Sequence, residues 1–280
     1  MSEFRTEPAE TRRAGRFIRW DGPRQVIAEL RRRNGVLFGV AVVQTVLLVA
    51  FVAGIVFDPR TLGGEPVWLK PAKFAASIAL FTATLGWIGF HLPVSERFLR
   101  RVSIGVAIAA FIEITLIGGQ AGRGVESHFN DATVVDYTIY VIMGVGVVAM
   151  TALVAWLLVR SWRREFGVSP AFAWGIRAGL ALFVIGAFEG GVMVAFETNA
   201  VGSGQPIPVV GWLLSGDFRI AHFVGLHALQ ILPLVGYLAA VSAERGVLER
   251  PTRVVLVVGG GYALVLLAAF VHALAPAIGF

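Results

Sequence analysis

The residues best equipped for chemistry stand in the stretch Gly216–Gln230, where an apolar segment of membrane-spanning length carries Arg219, His222, His227 and Gln230. With Arg219 at zero and 100° per residue, His222, Gln230 and His227 fall at about 300°, 20° and 80°. The four polar side chains therefore share a sector of roughly 140°, and the rest of the helix is left for lipid or other helices. Ionisable groups inside a bilayer are costly and by default mark a site. Glu113, Glu189 and His272 lie in other apolar runs, Asp136 begins a further one, and Arg123 and His128 stand in a glycine-rich loop.

Three chemistries fit these residue types. Neutral imidazoles with carboxylates suit zinc, iron or copper, so His227, His222, His128 and His272 are candidate metal ligands, with Glu113 or Glu189 beside them. The i, i+4 spacing of helical zinc sites is absent, because His222 and His227 are five apart and about 140° around the helix. Haem b is the second: His222 and His272 are the best-matched pair for clamping it, with Arg219 and Arg123 as further cofactor-binding residues. The third is a proton relay or solute pocket built on Glu113, Glu189 and His227. Glu113, Glu189 and Asp136 are the candidate acid–base groups. The preferred expectation is a metal- or haem-dependent oxidoreductase or hydrolase. The alternative is a proton-coupled transporter or a small-molecule-binding membrane protein without catalysis, and a purely structural or sensory role stands beside both.

The elements that must position these groups are membrane helices. Hydrophobic residues make up 56% of the chain and charged residues 15%, and the mean hydropathy is +0.75. Those values describe an integral membrane protein. Seven apolar runs, at about 36–57, 73–92, 102–119, 135–159, 171–196, 219–242 and 252–275, are each close to the ~20 residues that cross a hydrocarbon core. The expected fold is an all-α bundle of seven transmembrane helices over residues 36–280, preceded by a basic segment, residues 1–35. The net charge of +6 is a topology signal and not a nucleic-acid footprint. Nine arginines precede the first run, and Arg97, Arg100, Arg101, Arg160, Arg163, Arg164, Arg245, Arg250 and Arg253 follow runs two, four and six. The opposite side holds Arg60, Lys70, Lys73, Arg123 and Arg219. This bias puts the N-terminus in the cytoplasm and, with seven spans, the C-terminus outside. The polar residues then crowd into the outer half, which predicts an outward-opening pocket lined by spans three to seven.

Smaller signals complete the reading. Asp21 and Pro23 mark a helix start, and Val26, Ile27 and Leu30 share a face opposite Arg24 and Arg31 to Arg33. With Phe17, Ile18 and Trp20 before them, these residues predict an interfacial helix whose arginines meet anionic lipid headgroups. Lys70 and Lys73 run against the charge bias and call for acidic partners, for which Asp131, Asp136, Glu197 and Asp217 are available. Gly186 and Gly190 form a small-xxx-small pattern, and with Gly144, Gly146 and Gly259–Gly261 they allow close helix approach and a homo-oligomer. With no cysteine there is no disulfide, cysteine-ligated cluster or covalent c-type haem.

The blocks Trp68–Phe74 (WLKPAKF), Gln120–Asn130 (QAGRGVESHFN) and Gly216–Pro233 (GDFRIAHFVGLHALQILP) resemble those of a family of bacterial multi-pass membrane proteins of uncharacterised activity. The resemblance implies a multi-pass fold and carries no catalytic role to any residue.

Overall fold

The computed structural model describes residues 23–203, 205, 207 and 211–278. All seven apolar runs are helices: α2 (Gly35–Phe57), α3 (Leu69–Gly89), α4 (Glu96–Arg123), α5 (Val134–Ser161), α6 (Pro170–Ala195), α7 (Phe218–Glu244) and α8 (Pro251–Leu274). Each is long and apolar enough to cross a membrane, so the chain is a multi-pass membrane protein by length and composition. A shorter helix, α1 (Pro23–Arg33), precedes them. Phe17, Ile18 and Trp20, expected beside it, lie outside the described residues.

Helix starts follow the side chains before them. Asn34, Ser95, Thr133, Ser169 and Asp217 each accept a hydrogen bond from a backbone N–H of the first turn of α2, α4, α5, α6 and α7. These side chains satisfy donors that the helix itself leaves orphaned. Between α2 and α3 the chain makes a two-stranded antiparallel hairpin, β1 (Thr61–Leu62) and β2 (Glu65–Pro66), which the apolar pattern does not announce.

The main apolar core joins one half of the bundle. Leu37, Leu85, Val102, Leu157, Ile176 and Leu229 are buried in one cluster contributed by α2 to α7, near the ends of α3 and α5 and the starts of α2, α4 and α6. At the other end Met193, Phe218 and Ala273 pack together with Phe129 from the α4–α5 loop. That loop, residues 124–133, is thereby pinned over the bundle.

α6 and α7 meet most closely. A Cβ placed on Gly186 would stand 2.4 Å from the Gly225 Cα, and one on Gly175 would stand 2.5 Å from the Leu232 carbonyl oxygen. Only glycine permits that approach. The other expected packing glycines behave differently: a Cβ on Gly144, Gly146, Gly260 or Gly261 would meet nothing within 4 Å.

Candidate functional site

Glu113 is the centre of the polar arrangement. Its position on α4 turns it into the bundle, where it is 3% exposed, and neither carboxyl oxygen has a hydrogen-bond partner. A buried carboxyl without a donor is costly, so it needs a proton or a nearby charge. The nearest polar group is His128, whose Nε2 lies 3.8 Å from Glu113 Oε1. That separation is too long for a hydrogen bond.

His128 is held in place by its own loop and by two helices. Ser127 Oγ is 3.0 Å from its Nδ1. Phe74 of α3 lies tilted beside it with ring centroids 5.5 Å apart, and Tyr140 of α5 lies at 6.3 Å. When Ser127 donates to Nδ1, the ring proton sits on Nε2, the nitrogen nearest Glu113. Burial first, and the Lys70 ammonium second, push the His128 imidazole down to about 3, so the ring is neutral.

Lys70, at the start of α3, completes the group. Its Nζ lies 3.5 Å from Glu126 Oε2, and Lys73 pairs with Glu65 of the hairpin at 3.8 Å. Both lysines thus have acidic partners, and these are Glu126 and Glu65 and not the carboxylates expected. Asp136 and Asp217 are already engaged: Asp136 accepts from Arg123 at 2.7 Å and Gln120 at 2.9 Å. Asp217 accepts two hydrogen bonds from the Arg219 guanidinium, at 2.9 and 2.7 Å.

Side-chain exposure falls along this line of residues, from Glu126 at 51% and Lys70 at 34% to His128 at 25% and Glu113 at 4%. A cavity of about 20 Å³ opens among Lys70, Glu126 and Ser127. That is room for about one water molecule. The gradient leads from solvent at the α4–α5 loop to a buried carboxyl.

The remaining sequence candidates do not converge there. Asp136, expected as an acid–base group, is the acceptor hub of the α4–α5 junction, where it also takes the Thr133 hydroxyl at 2.6 Å. Arg123 and Arg219, expected to hold a cofactor, spend their guanidinium groups on Asp136 and Asp217. The polar sector of α7 fans out to different neighbours. His222 Nδ1 is 2.8 Å from the Gly186 carbonyl of α6, His227 Nδ1 is 2.8 Å from Phe223 O in its own helix, and Gln230 donates to Thr84 of α3 at 3.4 Å. His272 is exposed, its Nε2 3.0 Å from Leu214 O. Glu189 is buried on α6 with Oε2 unpartnered, and no hydrogen bond or ion pair joins it to Glu113 or His222 among the described residues. No three His, Asp or Glu side chains there come together as a metal site. The polar pocket is thus lined by spans two to four and the α4–α5 loop, not by spans three to seven.

Lys70 and Ser127 were not singled out for the site by residue type. The legible signal was Lys70 beside Lys73 on the side poor in basic residues. No family model, curated protein or solved structure matches the chain.

Proposed function

We propose that this membrane protein couples its action to protons, with Glu113 as the proton-binding group loaded from the outer face, in the manner of a proton-coupled transporter. The observation that carries this reading is Glu113 itself: a buried carboxyl with both oxygens unpartnered at the inner end of a line of increasingly buried polar side chains. Membrane-embedded carboxyls of this kind characteristically serve proton relays. At the rim of this line, a cavity of about 20 Å³ beside Lys70, Glu126 and Ser127 has room for about one water molecule.

His128 and Lys70 have separate parts in this scheme. Neutral His128 presents a ring nitrogen to the carboxyl and can pass a proton by exchanging tautomers. Lys70 stabilises the carboxylate after the proton leaves, and Glu126 offsets Lys70 at the rim. Below Glu113 lies the main apolar cluster, and no hydrogen bond leads from the Glu113 carboxyl toward it among the described residues. Completing transport requires a second arrangement of the helices, as alternating access does.

The reading also takes the membrane to be the bacterial cytoplasmic membrane, with α1 inside and the α4–α5 loop outside, on the arginine bias. A metal- or haem-centred function draws less support, because His222, His227 and His272 each engage a different backbone carbonyl.

The test is infrared difference spectroscopy of the reconstituted protein between acid and alkaline buffer. A protonated-carboxyl band that disappears in Glu113→Gln and persists in Glu189→Gln is expected. A spectrum with no Glu113-dependent carboxyl band overturns the proposal.

A further inference from the structure

A second cavity lies away from Glu113. It is a groove of about 440 Å³ between α2 and α3, closed at one end by Leu30 of α1. Phe38, Val42 and Val46 form one wall and Leu80 and Ala83 the other. Val42, Val46 and Leu80 are exposed, so the groove is open along the side that faces the bilayer. From Phe38 to Val46 it runs about 12 Å along the helix, most of the ~15 Å depth of one leaflet's hydrocarbon.

Its polar residues are turned inward or satisfied. Thr45 Oγ1 donates to Ala41 O and Thr82 Oγ1 to Ile78 O, each within its own helix. Asn34 donates to Ser103 and accepts from Leu37 N–H. The lining therefore offers no free hydrogen-bonding group to a polar ligand. At the end closed by Leu30 the surroundings change sign. α1 carries Arg24, Arg31, Arg32 and Arg33 against a single acid, Glu29. Glu29 takes hydrogen bonds from Arg32 and Arg33, whereas Arg24 and Arg31 are exposed and neither has a hydrogen-bond or ion-pair partner among the described residues.

We infer that this groove is a binding site for an anionic phospholipid, with one acyl chain between α2 and α3 and its phosphate on Arg24 and Arg31. An apolar slot of leaflet depth, closed by a helix that carries exposed guanidinium groups, matches that amphiphile in both shape and charge. α1 is fixed for the purpose, because Arg33 donates to the Trp87 carbonyl at 3.4 Å and lies 2.8 Å from His91 Nε2.

The test uses the full chain in nanodiscs of equimolar phosphatidylglycerol and phosphatidylcholine, followed by native mass spectrometry of the lipid retained. Wild type is expected to keep phosphatidylglycerol. Arg24→Gln/Arg31→Gln should lower its preference over phosphatidylcholine by roughly thirtyfold, the factor two surface arginines contribute. Ala83→Phe, which fills the slot and leaves the arginines intact, should release both lipids. Equal retention of the two lipids by wild type overturns the inference, as does undiminished retention by Ala83→Phe. A dimer that Ala83→Phe dissolves would assign the groove to a second copy of the chain and also overturn it.

Discussion

His128 presents its Nε2 to Oε1 of Glu113 across 3.8 Å, a loop residue facing a carboxyl buried in a membrane helix. The loop is held there at several points. Phe129 packs into the cluster of Met193 and Phe218, Gln120 donates to the Glu126 carbonyl, and Asn130 donates to the same oxygen at 2.7 Å. The α4–α5 connection is therefore part of the site and not only a link between spans.

Asp136 ties that loop to both flanking helices, so its removal should disturb more than one contact. Asp136→Ala takes one of two acceptors from Gln120, leaves the Thr133 hydroxyl without its acceptor and leaves Arg123 without its counter-ion. The melting temperature should fall, and Asp136→Asn should fall less because it keeps an acceptor oxygen. Arg123→Gln should be milder still, since the Arg123 side chain is 47% exposed and a wet ion pair contributes little. Thermal melts of the three variants in one detergent check the order.

The α6–α7 crossing gives a second expectation. Gly225→Ala would set a Cβ 2.4 Å from the Gly186 Cα, forcing the helices apart at a cost of about 1–3 kcal/mol. It should also disturb His222, which meets the carbonyl of the same Gly186. Gly261→Ala, with nothing within 4 Å of its new methyl, should be neutral or stabilising by up to about 1 kcal/mol. Denaturant titration of the two variants separates these outcomes.

Acid sensitivity should arise at the opposite end of the bundle. Burial, followed by the Arg33 guanidinium 2.8 Å from its Nε2, pushes His91 down from its ordinary value of 6.5 to about 4. The unfolded chain binds that proton first, so the stability His91 contributes is complete above about pH 6.5 and is lost as pH falls toward 4. His128, held at about 3, acts in the same direction. Replacing His91 by Gln should flatten the acid limb of a plot of melting temperature against pH, and replacing both histidines should flatten it further.

Much of the fold was legible in the sequence, because a span must satisfy its backbone internally and so appears as an uninterrupted apolar run. The caps Ser95, Thr133, Ser169 and Asp217 emerge only with the structure, because the apolar runs by themselves do not mark which polar neighbour turns back onto the helix. The site was only half legible. Glu113 and His128 could be singled out by type and depth, but helical phase could not say which neighbour each α7 side chain meets. Arg219, His222, His227 and Gln230 share a sector of one helix yet end on a loop, on α6, on α7 itself and on α3. The partners of Lys70 and Lys73 were missed because Glu126 and Glu65 reach them only through the folding of two loops.

The central claim is that Glu113 exchanges its proton with the outer aqueous phase, and a sided pH jump tests it most directly. With the protein oriented in sealed liposomes, acidifying only the side of the α4–α5 loop should raise the protonated-carboxyl infrared signal assigned to Glu113 by the Glu113→Gln difference. Acidifying only the side of α1 should leave that signal unchanged until the gradient leaks away. Equal response from both faces, or a response from the α1 side alone, would contradict the account.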